Sequence, residues 1–584
     1  MKTRNLLFKT KKNVPNGLSK GQAVLEKGGF FYQTDVLGVY SDMPFGLLFM
    51  QNIEKIIDEE LETSGFSKVA LATLQSRQLW ERSGRWEKYN ATNTMYTATD
   101  GRGNEYALAP TAEESAFQLM EFSATSYNDL PILIQQTSTK YRNEIRPRGL
   151  TRGRAFKMND AYSSHATLHE LIHTFDYTLK AYNRIFERIG LPVIEVEADS
   201  GAIGGEGSTE VVHISPLGDD TILNCNDANC SYAANVEKAN AVISKPRSTN
   251  YQKSYREVHT PNIKSVDQLC CHFDLDPIQM IKTVIFEVTG CPSMPFVAAC
   301  IRGDLEINPT KLSNVVGALE VNPASEEDIK NLTGADVGFA GPINLELPVF
   351  FDESCRDLND FLCGCNHTDY HAINVNFGAV LKIPESFFNL LMATDGMHCP
   401  SCSDGILESN VAIELGHCFQ LGQGYSQQMG FTVIDECGKA IHPYLGCYGI
   451  GVSRVAAVAA EYFAHSDKKM VLPLSIAPYQ VAIIPVNTKD QVQVELASTV
   501  EKYMLTMKLS CLLEDRTISF GKRIADHDLF GSPIRIIAGK LADQNIVEVH
   551  NLLIDHIEKV HLDDLPDVIN SIVEQSLTVP TPLN

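Results

Sequence analysis

No apolar run in this chain of 584 residues reaches the ~18 residues that a membrane-spanning helix requires. The amino-terminal stretch MKTRNLLFKTKKNVPNG is basic, but it lacks the apolar core and small-residue cleavage site of a secretion signal. There is no long low-complexity tract and no internal repeat. Basic charge is also scarce, with 49 Lys and Arg against 72 Asp and Glu and a net charge of -23. That imbalance repels a phosphate backbone and argues against a generic nucleic-acid coat. These absences leave a soluble globular protein, 44% hydrophobic and 21% charged, expected in the cytoplasm and away from membranes. Cysteine is plentiful, at fifteen. Without a secretion signal, an odd and dispersed set of thiols is expected to be reduced rather than paired.

A single core stops growing near ~250–300 residues, so several domains are expected. In QNIEKIIDEELETSG, Ile53, Ile56, Ile57 and Leu61 recur at helical spacing and Gly65 stands where a helix ends. A second helix is expected after Thr167, which can form a capping box with Glu170; Gly190 and Pro192 would stop it. Between the two helices, PILIQQ and RAFKM read as strands flanking a loop. From about residue 472, strands QVAIIPV, LSCLLED and PIRIIAGK alternate with helical sequence, which suggests a small α/β domain with a largely parallel sheet.

The loop between the first two strands carries the chemistry. STKYRNEIRPRGLTRGRAF sets Arg142, Arg146, Arg148, Arg152 and Arg154 within thirteen residues. Rigid guanidinium forks suit phosphate oxygens, and clustering them costs repulsion unless an anion relieves it. Glu144 can accept from an exocyclic amine, and Phe156 can stack on a base. Far along the chain, GCYGIGVSRVAAVAAEYF aims a helix N-terminus at a glycine turn ending in Gly451, with Arg454 one turn in. Such a terminus is a ready anion site. Two anion sites in one chain fit a nucleotide better than either does alone.

TKYRNEIRPR and GCYGIGVSR resemble motifs 2 and 3 of the class II aminoacyl-tRNA synthetases, and the bacterial-type prolyl-tRNA synthetases in particular. LQSRQLWERSGRW, APTAEES, FKMNDAYSSH, GAIGGEGSTE, LGHCFQLGQGYS and LLEDRTISFGKRIADHDLFGSPIRIIAGK support the resemblance in family order, over nearly the whole chain. It implies an α/β multidomain fold. An antiparallel-sheet catalytic domain (1–220 and 408–471) would be interrupted by an α/β editing insertion (221–407) and followed by an α/β anticodon-binding domain (472–584).

The implied reaction joins proline and ATP as prolyl-adenylate, then transfers proline to tRNA(Pro). Arg142 would hold the α-phosphate and Arg454 the γ-phosphate, with Glu144, Phe156 and Gly451 completing the ATP site and Mg2+ assisting. Thr111, Glu113, Asp160, Tyr162 and His165 would line the proline pocket. Arg146 and Arg148 would meet the acceptor stem, and Arg516 and Lys522 the anticodon. The insertion would hydrolyse mischarged alanyl-tRNA(Pro) at Lys282, Asp304, Asn308, Gly341 and His371. A homodimer is also implied.

The match departs from the family pattern at Ala72, where motif 1 usually ends on proline, and at Ala155, where glutamate is usual. Ala112 replaces a common histidine, and LGQGYS lacks the usual threonine–lysine pair. Rival readings are another class II enzyme such as the threonyl one, a non-ligating RNA-binding descendant, and a protein that keeps only hydrolytic editing. Cys225 and Cys230 flank one edge of the insertion and Cys399 and Cys402 the other. Four thiolates meeting there would bind zinc, but the C-x4-C spacing is looser than a usual knuckle, and unliganded thiols are the expectation.

Overall fold

The structure, a computed structural model, describes residues 1–201, 205, 207–244 and 253–578. Part of the glycine-rich segment GAIGGEG lies outside them. The chain forms two compact units: Met1–Ile194 with Ser200–His213 and Glu414–Asn584, and Glu195–Asp199 with Ile214–Ile413.

In the first unit, the helix Pro44–Thr63 buries Ile53, Ile56, Ile57 and Leu61 along one stripe, as a 3.6-residue period demands. Gly65, at φ +89°, turns the chain after it. The helix Leu168–Ile189 has the expected start: Thr167 accepts from the Glu170 N–H, and Glu170 accepts from the Thr167 N–H. Gly190, left-handed at φ 83°, ends it.

The two strands predicted around the arginine loop are longer than their short apolar runs. Ile132–Tyr141 and Ala155–His165 pair antiparallel from Ile132 opposite Ser164 to Tyr141 opposite Ala155. On its other side Ala155–His165 pairs with Tyr444–Ile450, which pairs in turn with the Gly416–Gly422 part of the strand Leu407–Gly422. Ser67–Lys68 adds a short parallel edge beside Ile132–Tyr141. Every residue of Ala155–His165 from Asn159 onward is buried, polar side chains included. Buried polar residues on a central strand are uncommon and point to a site.

The same unit holds a five-stranded sheet in the order Cys511–Leu513, Val481–Pro485, Ile534–Ala538, Ile546–Asn551, His556–His561. The first three strands are parallel. The last two are an antiparallel addition, beyond the parallel strands expected. Phe45 stacks on Phe530 at 4.2 Å between ring centroids, and Phe8 meets both rings edge-on.

The second unit is built on an eight-stranded mixed sheet in which Met280–Thr289 runs antiparallel to Phe296–Arg302 and parallel to Phe361–Gly364. Phe361–Gly364 pairs in turn with Tyr370–Val375, setting Gly364 opposite His371.

Candidate active site

The arginine loop is tied together by its own residues. The Arg142 N–H donates to Arg154 O (3.0 Å), the Arg154 Nε to Glu144 O (2.9 Å) and the Arg152 Nε to Glu144 Oε2 (2.7 Å). Glu144 Oε1 also accepts from the Arg146 N–H at 3.2 Å. Partial burial pushes the Glu144 carboxyl up, but the bond and charge of Arg152 and the backbone N–H groups of Arg146 and Ile145 together outweigh it and hold the carboxyl below its ordinary value. Glu144 therefore stays ionised and steadies the loop. Arg148 closes the tip through backbone bonds with Arg152.

Arg142 is fixed by its Nε, which donates to Pro110 O at 3.1 Å, and by the Phe156 ring, 5.2 Å beneath the guanidinium carbon. Arg454 reaches the same loop from the helix Val452–Phe463, whose N-cap is Gly451. Its Nε donates to Thr151 O (3.1 Å), and Nη1 donates to Glu414 O (2.7 Å) and Oε2 (2.9 Å). Next to Arg454, Ser453 Oγ accepts from the Lys157 N–H, one residue past Phe156. Two arginines 312 positions apart in sequence thus brace the base and the tip of one hairpin.

Glu414 was not singled out in the sequence. It lies within 4.8 Å of Glu210 and His417, measured between ligating atoms. Burial raises its carboxyl, but the bond from His417 Nδ1 (2.8 Å) and the Arg454 charge hold it well below the usual range. Two carboxylates beside an imidazole suit a hard divalent cation.

On the same face of the Ala155–His165 strand as Phe156 lie Asp160 and Tyr162, two and three steps of the pleat further on. The Tyr162 hydroxyl donates to Asp160 Oδ2 (2.9 Å) and accepts from the Ala112 N–H (3.1 Å). Gln136 donates to Asp160 Oδ2 at 3.0 Å, and Lys140 pairs with its Oδ1 at 2.8 Å. Thr111 Oγ1 donates to Glu113 (2.7 and 2.6 Å), whose other contact is the buried Arg85 Nη1 at 3.0 Å. Arg85 also holds Glu114 at 3.0 Å and packs against the rings of Trp80, Tyr89 and Tyr425. Burial pushes both glutamates up. Arg85 and Thr111 bring Glu113 below its ordinary value, whereas the charge of Glu113 leaves Glu114 raised. Cys447 lies directly opposite Tyr162 across the strand pair, and burial, with Glu113 nearby, keeps its thiol protonated. Thr111, Glu113, Asp160 and Tyr162 therefore form one connected polar floor, with Arg85 beneath it as the residue the motifs did not reveal.

His165 is not part of it. Five residues from Asp160, it points to the opposite face of the pleat, beside the helix whose first turn carries Glu170; burial lowers its pKa to about 4. The expectation that His165 lines the pocket is corrected by strand alternation alone.

In the second unit, Lys282 Nζ pairs with Glu306 at 2.5 Å, and Asp304 is gripped by the Arg302 fork at 2.5 and 2.8 Å. His371 Nδ1 bonds Thr260 Oγ1 (2.7 Å) and its Nε2 lies 3.2 Å from Gly338 O. Gly341 passes so close to Gly364 that a Cβ would fall 1.7 Å from Gly364 O, so the position admits only glycine. Register places Lys282 and His371 toward one end of the sheet. Asn308 has another task. Its oxygen caps the helix Pro309–Val316 by accepting from the Thr310 and Lys311 N–H groups, while its amide donates to Val236 O and Glu237 O. All four of these side-chain hydrogen bonds are spent on structure, so the ligand role expected of it is corrected.

Arg516 is likewise committed. Its Nε and Nη2 bind Glu514 and its Nη1 binds Asp526 (2.9 Å), while Lys522 Nζ bonds the other oxygen of Asp526 at 2.6 Å. The expected anticodon contact through Arg516 gives way to an internal ionic knot; Lys522 stays half exposed at its edge. Cys225, Cys230, Cys399 and Cys402 converge, with all four sulfurs within 4.8 Å of one another. No helix of the described residues is long and apolar enough to cross a membrane.

Residues 96–463 match the tRNA synthetase class II core domain (G, H, P, S and T), and residues 480–572 match the anticodon binding domain. The chain is 37% identical to a proline–tRNA ligase of Bacillus cytotoxicus over 98% of its own length and 100% of the relative's. It is 35% identical to one of Caldicellulosiruptor bescii over 98% and 99%. In fold it resembles the Giardia lamblia prolyl-tRNA synthetase in complex with prolyl-adenylate (TM-score 0.57, 14% identity, 96% of this chain and 79% of that one). It also resembles the Cryptosporidium parvum enzyme complexed with halofuginone and AMPPNP (TM-score 0.56, 14% identity, 95% and 75%). A class II core whose two arginines grip one hairpin, joined to an anticodon-binding module and matched end to end by such relatives, belongs to the proline–tRNA ligase family.

Proposed function

We propose that the chain activates proline with ATP and transfers it to tRNA(Pro) in the cytoplasm, as a homodimer. The observation that carries this is the joint bracing of one loop by Arg142 and Arg454. Arg142, held over Phe156, would meet the α-phosphate with the adenine on that ring and Glu144 at its amine; Arg454 would take the γ-phosphate. Catalysis is then positioning in line and neutralisation of charge gathering on phosphorus. Mg2+, bound with the triphosphate, adds charge that two arginines do not supply, and Glu210 and Glu414 are the oxygen donors suited to hold it. The ammonium of proline would lie against Glu113 and Thr111 above Asp160 and Tyr162. Arg146 and Arg148, outward on the loop, suit the acceptor stem.

Residues 221–407 are proposed as an editing domain for alanyl-tRNA(Pro), with Lys282 meeting terminal phosphate and His371 and Gly341 shaping the pocket. A small pocket rejects a slightly smaller amino acid poorly, and a second hydrolytic site is the physical remedy. Residues 1–220 with 408–471, and 472–584, would be the catalytic and anticodon-binding domains. Proline-dependent pyrophosphate exchange tests the central reading. Strong exchange is expected in the parent, with a loss on the order of 100-fold or more in Arg142→Ala; exchange with another amino acid, or none, would refute it.

A further inference from the structure

Four cysteines from two distant stretches meet in the second unit, and their spacing fits one tetrahedral ion. Cys225 ends the strand Asp220–Cys225, and Cys230 sits in the turn that follows. Cys399 and Cys402 sit in the turn preceding the strand Leu407–Gly422, which pairs with the first through Cys225 opposite Leu407. Cys225 Sγ lies 3.6 Å from Cys402 Sγ, and Cys230 Sγ lies 3.8 Å from Cys399 Sγ. A tetrahedron with Zn–S bonds of about 2.3 Å has S···S edges of about 3.8 Å. Disulfides would bring the sulfurs to about 2.05 Å, and a multi-iron cluster would hold them further apart.

The surroundings are built for thiolates. The Asp227 N–H reaches Cys225 Sγ and the Ser401 N–H reaches Cys399 Sγ, each at 3.4 Å, as knuckle turns present amides to metal-bound sulfur. The first turn is closed by Cys225 N–H on Tyr232 O (2.9 Å), the second by Cys399 N–H on Gly405 O (2.9 Å). A Cβ at Gly405 would stand 2.2 Å from Cys225 Sγ and 2.7 Å from Cys402 Sγ, so the glycine makes room for the sulfurs themselves. Leu223, Ala234, Ala239, Ala393 and Leu407 form a dry wall around the group.

We infer that Cys225, Cys230, Cys399 and Cys402 bind one structural zinc ion, closed to substrate because all four positions are protein ligands. The ion ties residues 169 and 177 positions apart and so staples the two ends of the intervening segment. This stands independently of the ligase reading. The loose C-x4-C spacing is accommodated because the strand pairing, not the local spacing, brings the halves together.

Elemental analysis of the purified full chain should find one zinc per chain. The pair Cys399→Ser with Cys402→Ser should lower it at least tenfold, while Cys271→Ser with Cys437→Ser, at exposed cysteines elsewhere, should retain it. Because the first pair can unfold the unit, a second measurement uses the parent chain stripped with chelator and titrated with cobalt(II) chloride. Thiolate charge-transfer and intense tetrahedral bands should saturate at one equivalent and bleach on adding one equivalent of zinc. A chain that binds no metal, binds iron instead, or gives only the weak spectrum of six-coordinate cobalt overturns the assignment.

Discussion

Replacing Arg85 by methionine should damage both folding and amino-acid recognition, and the size of each effect follows from the burial of one ion triplet. Arg85 Nη1 lies 3.0 Å from Glu113 and 3.0 Å from Glu114, with 6%, 3% and 0% of the three side chains exposed. Breaking a buried pair by removing one partner costs about 3–5 kcal/mol. The two glutamates have an escape: taking up a proton at pH 7 costs a carboxyl of ordinary pKa about 3.5 kcal/mol. The destabilisation should therefore lie near that figure for one protonated carboxyl and at no more than about 7 kcal/mol for both, visible as a lower urea midpoint. The escape has a functional consequence under the proposed function, because a neutral Glu113 could no longer anchor the proline ammonium proposed to lie against it. Loss of one charged hydrogen bond, about 1.5–3 kcal/mol, predicts a KM for proline roughly 10- to 150-fold higher. The sign with pH is opposite for the two readouts. Raising the pH from 6 to 8.5 should lower the variant's KM for proline as Glu113 ionises, while its stability deficit grows, because the folded-state pKa now lies above the unfolded one. Pyrophosphate exchange across that range, beside urea melts, measures both. A variant with the parent's midpoint and a KM within twofold of the parent's would refute the reasoning.

Asn308→Ala should lower the stability of the second unit by about 0.5–2 kcal/mol, since it removes a helix cap and two bonds to the partly buried carbonyls of Val236 and Glu237; protection of the Thr310 and Lys311 amides in hydrogen exchange reads this. His165, lowered to about 4 by burial, takes its proton in the unfolded chain first. Stability is thus full above pH 6.5 and falls by about 3 kcal/mol as the pH drops to 4, and His165→Phe should flatten that slope in acid unfolding curves. Arg516→Met should cost about 1.5–3 kcal/mol by removing charged hydrogen bonds from Glu514 and Asp526, which keep His527 and Lys522 as their remaining partners; a fully stable variant that loses only tRNA affinity would restore the anticodon role to Arg516.

What local chemistry dictates could be read before folding. The Thr167–Glu170 box, the stop at Gly190 and the hairpin around the arginines depend on neighbours a few residues apart, and each stands where the sequence places it. The arginines of the loop were legible because their charge density is improbable in an acidic chain. Arg85 was not, because its meaning depends on Trp80, Tyr89 and the remote Tyr425 closing around it. Asn308 was misread although a signal was present: asparagine directly before proline, at the head of an apolar-periodic stretch, is a helix cap. His165 shares a motif with Asp160 and Tyr162 but not their face, because an odd number of residues along the pleat separates it from them. The convergence of the four cysteines does not follow from spacing along the chain, because the pairing of Cys225 with Leu407 is what brings the two pairs together.

The stacked rings of Phe45 and Phe530, with Phe8 across their edges and the Arg516 guanidinium carbon 5.1 Å above Phe8, limit how this chain can be recombined. A chimaera spliced between residues 472 and 480 would look harmless in sequence. It would nevertheless pair foreign aromatic shapes at a joint where 4.2 Å separates the native ring centres. Transplanting the carboxy-terminal module would require moving Phe8 and Phe45 with it, so the working cassette includes residues from near the beginning of the polypeptide.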